Sequence, residues 1–350
     1  MLKELTEASG APGREEEVSA IMERRLKKHV KVGYDGLGSL IAEKKGSAAS
    51  PRVMLAGHMD EVAFMVTDVS KEGYLRFLPL GGWWGHVALA QRVRVHTRKG
   101  VVRGVIGSKA PHVLSPDERR KVLEISDLFV DLGCIDKFDV KKKLGVQVGD
   151  VIVPEAPFEI MGNPDMYLAK AFDNRIACAA VIDIVTRLGK TKHPNTVFGV
   201  GTVQEEVGLR GAGTAAYQID PDVAFALDVT VARDTPGMSP RSEELGKGPV
   251  LTVYDGSLIP NYQLRKLMQE TAEKARIPFQ FGAFEKGGTD GGRIHMTRRG
   301  VPCMTVSIAT RYIHSHGAML HRKDYDNWVK LMVAVIKRLD AKTVASLTRR

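Results

Sequence analysis

The feature that most limits how this chain can fold is an apolar run over residues 197–203, which stops just short of the adjacent carboxylates Glu205 and Glu206. A run of that length and composition reads as a buried strand. Neighbouring residues on an extended segment point to opposite sides. One carboxylate can therefore face a cation while the other moves protons beside it. Paired glutamates more often decorate a solvated face, so the pair gains meaning only if the rest of the chain supplies matching ligands. With 350 residues, 43% of them hydrophobic and 26% charged, the chain has core enough for one large domain or two ordinary ones.

Around that run the pattern is α/β. Apolar spacing predicts helices over 2–9 and 14–28 and strands over 30–34, 40–43 and 52–56, the last running into Gly57-His58-Met59-Asp60-Glu61. From about 63 to 157 helical periodicity fades. Short β-rich runs at 74–78, 92–97, 101–106 and 150–153 take over, with brief helices near 115–123 and 137–144. This texture predicts a small β-barrel or sandwich inserted into the α/β domain, the alternative being an excursion of a single domain. Past Pro157 the rhythm resumes, with helices over 176–188, 211–217, 262–276 and 324–339. Strands are expected at 223–228, 249–254 and 301–308, a Pro/Gly/Ser-rich connection at 235–248, and a helix opened by Gly287-Gly288-Thr289-Asp290. The expected fold class is α/β, with a phosphorylase/hydrolase-like α/β/α catalytic domain and mixed sheet from 1–62 and 158–350, interrupted by a β-rich insert at 63–157.

Several function classes drop out. No apolar run approaches the roughly 20 residues of a membrane span, so no membrane partner is expected. The first residues carry charges where a signal peptide needs its apolar core. Cys134, Cys178 and Cys303 are scattered, which suits neither a disulfide framework nor a CxxC zinc site. These observations point to the cytoplasm. The net charge of +10 raises nucleic acid as a partner. Yet the basic residues are interspersed, and no basic block alternates with aromatics, so a basic soluble surface is expected and no nucleic-acid partner.

His58, Asp173, Glu206, Asp228 and His314 each lie just past an expected strand or before a helix. Ligand sites in open α/β sheets form outside the carboxyl ends of strands, so the five can converge on one crevice. Two imidazoles and three carboxylates suit a pair of divalent ions such as zinc, cobalt or manganese, with one carboxylate bridging. Asp60, two residues after His58, leaves an extended segment on the same face. It is placed to accept the other imidazole N–H.

Gly57-His58-Met59-Asp60-Glu61, Ala171-Phe172-Asp173-Asn174-Arg175, Gln204-Glu205-Glu206-Val207-Gly208-Leu209-Arg210-Gly211-Ala212, Gly287-Gly288-Thr289-Asp290 and Arg311-Tyr312-Ile313-His314-Ser315 occur in an order that resembles the glutamyl aminopeptidase/tetrahedral aminopeptidase family of dinuclear metallopeptidases. The resemblance covers nearly the whole chain, including Ser9-Gly10-Ala11-Pro12-Gly13-Arg14-Glu15 and Gly81-Gly82-Trp83. It implies that His58 and Asp228 hold one metal, Glu206 and His314 the other, and that Asp173 bridges them. Glu205 would be the general base on the activated water, and a non-proline cis peptide would follow Asp173. The implied reaction is release of N-terminal residues from peptides. The alternative is a dinuclear hydrolase of the same fold acting on another amide, as a carboxypeptidase or deacylase. The resemblance further implies homo-oligomers, tetrahedral dodecamers built from dimers through the β-rich insert, with smaller forms when metal is lacking.

Two departures from the family pattern stand out. After Ser315 many relatives continue with Pro and then Glu, whereas here His316-Gly317-Ala318-Met319-Leu320-His321 follows. His314 is preferred as ligand because its flanks match. His316 and His321 read as loop residues, with an extra low-affinity metal site as the other reading. Asp290 is followed by Gly291-Gly292 where relatives commonly carry Ala, which is expected to alter helix packing rather than chemistry.

Overall fold

The computed structural model describes residues 1–238, 243–284 and 286–348. Two helices, α1 (Leu2–Glu7) and α2 (Glu16–Leu26), precede β1 (Lys31–Tyr34), β2 (Leu40–Lys44) and β3 (Arg52–His58). There follow β4 (Ala63–Val69), β5 (Leu75–Leu80), a short α3 (Gly85–Ala88), β6 (Arg92–Thr97), β7 (Gly100–Gly107), α4 (Pro116–Arg120), β8 (Phe129–Asp131) and β9 (Val151–Pro154). Next come β10 (Glu159–Ile160), β11 (Met166–Ala169), α5 (Phe172–Leu188), β12 (Thr196–Thr202), α6 (Arg210–Ile219) and β13 (Val223–Val231). The last part comprises β14 (Val250–Tyr254), α7 (Tyr262–Ala275), β15 (Gln280–Ala283), α8 (Gly291–Ile294), β16 (Cys303–Thr310), β17 (Ala318–His321), α9 (Arg322–Ile336) and α10 (Ala341–Leu347). The expected 235–248 connection includes 239–242, which lie outside the described residues.

The main sheet has eight strands in the order β1-β2-β12-β3-β13-β16-β14-β15. It is mixed, with β12, β3, β13 and β16 parallel to one another, β2 antiparallel to β1 and β12, and β14 antiparallel to β16 but parallel to β15. The parallel centre explains the sequence. Strands covered on both faces read as continuous apolar runs, and β3 and β13 are buried almost throughout. Alternate residues feed two cores. Val53, Leu55, Phe225, Leu227, Met304 and Val306 pack against α5 and α9, while Met54, Ala56, Val200 and Ala224 meet Ala212, Ala215 and Ile294 of α6 and α8 on the other face. Gly57 permits close packing, since a Cβ there would stand 2.6 Å from that of Ala177 in α5.

The β-rich stretch closes into a barrel, β4-β5-β8-β7-β6-β9, around Phe64, Leu75, Val93, Val95, Ile106, Val130 and Ile152. A further three-stranded sheet, β10-β11-β17, was not expected. Its strands, like β8 and β15, are short and lack the alternation that marks a strand in sequence. The expected helix at 137–144 is instead a π-type turn over Asp139–Lys143, closed by Leu144 N–H donating to the Asp139 carbonyl at 3.0 Å. The helix expected at 115–123 is confined to α4, where Ser115 and Glu118 form a capping box.

A buried ionic node joins the amino-terminal segment to the sheet. Lys170 Nζ donates to both oxygens of Glu61 at 2.6 and 2.7 Å. Arg175 donates to the carbonyls of Leu5, Ala8 and Gly10 and to Glu61 Oε1 at 3.1 Å. All three charged side chains are buried. Removing the one anion leaves two cations uncompensated, whereas removing Lys170 leaves an intact pair. Glu61→Gln should therefore cost about 3–5 kcal/mol, and Lys170→Met distinctly less, as read from chemical-unfolding midpoints. Equal shifts would contradict this account of the node.

Candidate metal centre

The parallel strands deliver the polar side chains to one place. Register pairs Thr202 with His58 and Ala226 with Ala56, so His58, Thr202 and Asp228 stand at about the same height on the carboxyl side of the sheet. His58 ends β3, Glu205 and Glu206 follow β12, and Asp228 lies late in β13. Asp173 sits in the distorted first turn of α5, where the Asp173–Asn174 peptide is cis as expected. His314 comes from the loop between β16 and β17. All six line one cleft of about 500 Å3, walled also by Leu209, Val229, Val231 and Phe284.

Asp173 is central to the geometry. Its Oδ1 lies 3.1 Å from His58 Nε2, and its Oδ2 lies 3.3 Å from His314 Nε2. Glu206 Oε2 is 3.4 Å from the same His314 nitrogen, and Glu205 Oε2 is 3.8 Å from His58 Nε2. Donor atoms of His58, Asp173 and Glu206 fall within 4.8 Å of one another, as do those of His58, Glu205 and Asp228. The other ring nitrogens settle the tautomers. His314 Nδ1 faces the Gly82 carbonyl at 2.8 Å, and His58 Nδ1 faces the Asp60 carbonyl at 3.2 Å. A carbonyl only accepts, so both Nδ1 atoms carry hydrogen; each Nε2 faces the carboxylates, to which it donates while protonated, and once it gives up that proton its lone pair points into the cleft.

Asp60 does more than the sequence indicates. Its Oδ1 is 3.5 Å from His58 Nδ1, but its two oxygens accept the backbone N–H groups of Glu205 and Glu206, each at 3.0 Å. Glu15 Oε1 accepts the N–H of Gln204 at 3.1 Å and of Gly13 at 2.7 Å. Two buried carboxylates thus hold the turn that presents the glutamate pair. No local pattern announces the Glu15 role; the only signal is its place in the early Ser9–Glu15 segment. Ala171, Gln204, Leu209, Tyr312 and His314 adopt positive φ around the site, conformations that non-glycine residues hold only when their surroundings impose them.

The electrostatics follow from crowding. Burial first, then the nearby Asp228 and Glu206 charges, raise Glu205 well above the usual carboxylate range. Burial and Asp173 do the same to Asp228 and push Glu206 up to about 8. Asp173 goes the other way, held low against burial by hydrogen bonds from His314 and His58. Burial opposes charge on His314, yet its bond to Asp173 and the Glu206 charge raise it to about 9. Imidazoles and carboxylates converging in this way make a donor set suited to divalent cations. Glu206 Oε1, buried without a partner among the described residues, is a group such a cation would satisfy.

His316 and His321 stand apart from this cluster. His316 is buried against the barrel, and burial lowers it to about 4. His321 is no loop residue: it closes β17 and caps α9, its Nδ1 accepting the Lys323 N–H at 3.2 Å. Neither joins the groups among the described residues that could hold a cation. The Gly291-Gly292 pair has a packing reason, because a Cβ at Gly292 would lie 2.3 Å from Ser257 Oγ and one at Gly291 2.7 Å from Leu258 Cδ2.

The profile of the M42 glutamyl aminopeptidase family matches residues 38–331. A glutamyl aminopeptidase of Lactococcus lactis is 34% identical, with 99% of this chain and 98% of that protein aligned. The crystal structure of a TET aminopeptidase from the marine sediment archaeon Thaumarchaeota archaeon SCGC AB-539-E09 superposes with a TM-score of 0.96 at 47% identity, covering 99% of this chain and 98% of the other. The Pyrococcus horikoshii TET1 peptidase, which can assemble into a tetrahedron or a large octahedral shell, matches with a TM-score of 0.86 at 32% identity over 97% and 98%.

Cation binding at this centre should release protons, because Glu206 and His314 titrate near 8 and 9 and would have to be deprotonated to act as ligands. Apparent affinity should therefore climb with pH from about 6 and level off above about 9. Both folded-state values lie above their unfolded ones, so the metal-free protein should lose stability as pH rises through the same window. Calorimetric metal titrations in buffers of different ionisation enthalpy, paired with melting curves of metal-free protein, measure both. An affinity independent of pH would contradict the assignment.

Proposed function

This chain belongs to the M42 glutamyl aminopeptidase family and is a metal-dependent aminopeptidase, and from that premise we propose how its cleft removes the N-terminal residue of a peptide. The observation that carries the reading is the Asp173 carboxylate, whose two oxygens face two different imidazoles at 3.1 and 3.3 Å. One carboxylate so placed suits a bridge between two divalent cations. His58 and Asp228 would hold one, and Glu206 and His314 the other. Zinc or cobalt is proposed, with manganese also suited to a carboxylate-rich set. Such a pair supplies Lewis acidity for the scissile carbonyl and for the attacking water.

The remaining work falls to the chain's own groups. Glu205 is the general base: its carboxylate lies in the cleft near His58, and its backbone is fixed by Asp60. It takes a proton from water during attack and returns it to the leaving amine. Asp60 is a positioning residue, holding the glutamate turn and the His58 tautomer together. Leu209, Val229, Val231 and Phe284 wall the space that would receive the N-terminal side chain.

The proposed organisation is a catalytic domain of residues 1–62 and 158–350 with an oligomerisation domain at 63–157. The protein is proposed to be a cytoplasmic homo-oligomer, a tetrahedral dodecamer assembled from dimers. Val101, Val113, Ile135 and Phe138, exposed apolar side chains in the insert, support that role. No helix among the described residues is long and apolar enough to cross a membrane.

Glu205→Gln should retain its metal yet lose turnover by roughly 100-fold or more on aminoacyl reporter substrates. N-acetylated versions of the same substrates should be poor for the unaltered enzyme. Full activity of Glu205→Gln with intact metal content would refute the assignment of the base, and preference for blocked substrates would favour an amide hydrolase of another kind.

A further inference from the structure

Of the two histidines at the metal centre, His58 is embedded at the end of a central strand, with its side chain only 2% exposed. The side chain of His314 is 34% exposed and comes from a loop. Besides the carboxylates it faces, its ring meets the Gly82 carbonyl through Nδ1 at 2.8 Å. Gly82 belongs to the turn that follows the second barrel strand, β5. The neighbouring Trp83 is tied into the barrel, its Nε1–H donating to the Ala63 carbonyl at 3.1 Å and its ring stacked on Phe64 at 4.5 Å. Trp83 also faces the imidazole of His316, ring centroids 5.8 Å apart. His316 Nε2 in turn reaches the Arg92 carbonyl of barrel strand β6 at 3.1 Å. The path closes on itself, because His316 lies two residues beyond His314.

We infer that the barrel is a working part of the metal centre: Trp83 and His316 are positioning residues that hold the His314 loop so that its Nε2 faces Asp173 and Glu206. This rests on the reading of the cleft as a two-cation site. His316 is 6% exposed and its Nδ1 is buried without a partner among the described residues. A side chain kept only to fill space would not need to bury an unmet acceptor. Its bond to Arg92 and its tilted contact with the Trp83 ring give it a directional task instead. The barrel can serve as an anchor because it is fixed elsewhere to the catalytic domain. Arg94 donates to the Glu7 carbonyl at 2.8 Å, and His96 Nε2 lies 2.8 Å from Ser9 Oγ. Outer groups that orient a metal-ligating imidazole are typically worth about 10–100-fold in metal affinity.

Two substitutions act on this path from different ends. Gly82→Ala sets a methyl 3.3 Å from His314 Nδ1 and 3.6 Å from Cε1, displacing the ring while the ligand stays in the sequence. His316→Ala removes the clasp, and His316→Gln restores a donor for the Arg92 carbonyl. Metal-free full-length protein would be titrated with Co2+, followed by visible absorption and calorimetry. The unaltered protein should bind two ions. In Gly82→Ala and His316→Ala one step should weaken by about 10–100-fold with an altered absorption spectrum, the other step should be unchanged, and His316→Gln should recover most of the loss. Two unchanged steps in both variants would overturn the inference. So would equal loss of both steps, which marks a general disturbance of folding rather than aim. Uptake of fewer than two ions by the unaltered protein would instead refute the two-cation reading itself.

Discussion

Four carboxylates, Asp173, Glu205, Glu206 and Asp228, are crowded into one largely buried cleft with two imidazoles between them. At an effective dielectric of about 20, two unit charges 4 Å apart repel by about 4 kcal/mol. A few such repulsions rival the whole net stability of a domain, about 5–15 kcal/mol. The protein meets this cost in part by leaving protons on Glu206 and on its neighbours above the ordinary range. Divalent cations would meet the rest. The surrounding architecture resists the tendency of these groups to move apart. Parallel strands set their height, Asp60 and Glu15 fix the glutamate turn, and the start of α5 points Asp173 between the histidines.

This arrangement sits at a seam. β3 ends at His58, and the barrel begins only a few residues later with β4 at Ala63. The barrel returns to the centre through Gly82, which meets His314 from the other end of the sequence. A barrel that starts so close to the end of β3 builds part of the crevice wall, to which it gives Gly82. It also supplies the carbonyl that accepts the Nδ1–H of His314.

The α/β rhythm was legible because strands buried on both faces leave uninterrupted apolar runs, as in β3, β12 and β13. Cleft residues were legible in part by position, since a polar side chain just past such a run has somewhere particular to go. Ordering them into a site needed the family likeness, because Asp173 and His314 carry no local mark of their roles. Other features left no local trace. Asp60 reaches across 145 and 146 positions to the glutamate turn, and Glu15 across 189 to Gln204; such contacts have no periodicity to betray them. The β10-β11-β17 sheet escaped notice because its strands are two to four residues long. His321 misled for the same reason, lying where one such strand passes directly into a helix.

The Arg175 guanidinium draws most of its acceptors from far away in the chain, from the main-chain oxygens of Leu5, Ala8 and Gly10. Arg175 stands two residues after Asp173, so those first residues act as a plug seated against the start of the helix that carries Asp173. Clipping them off would not merely shorten a tail. It would leave the buried Arg175 guanidinium with one acceptor side chain, the Glu61 carboxylate that it shares with Lys170.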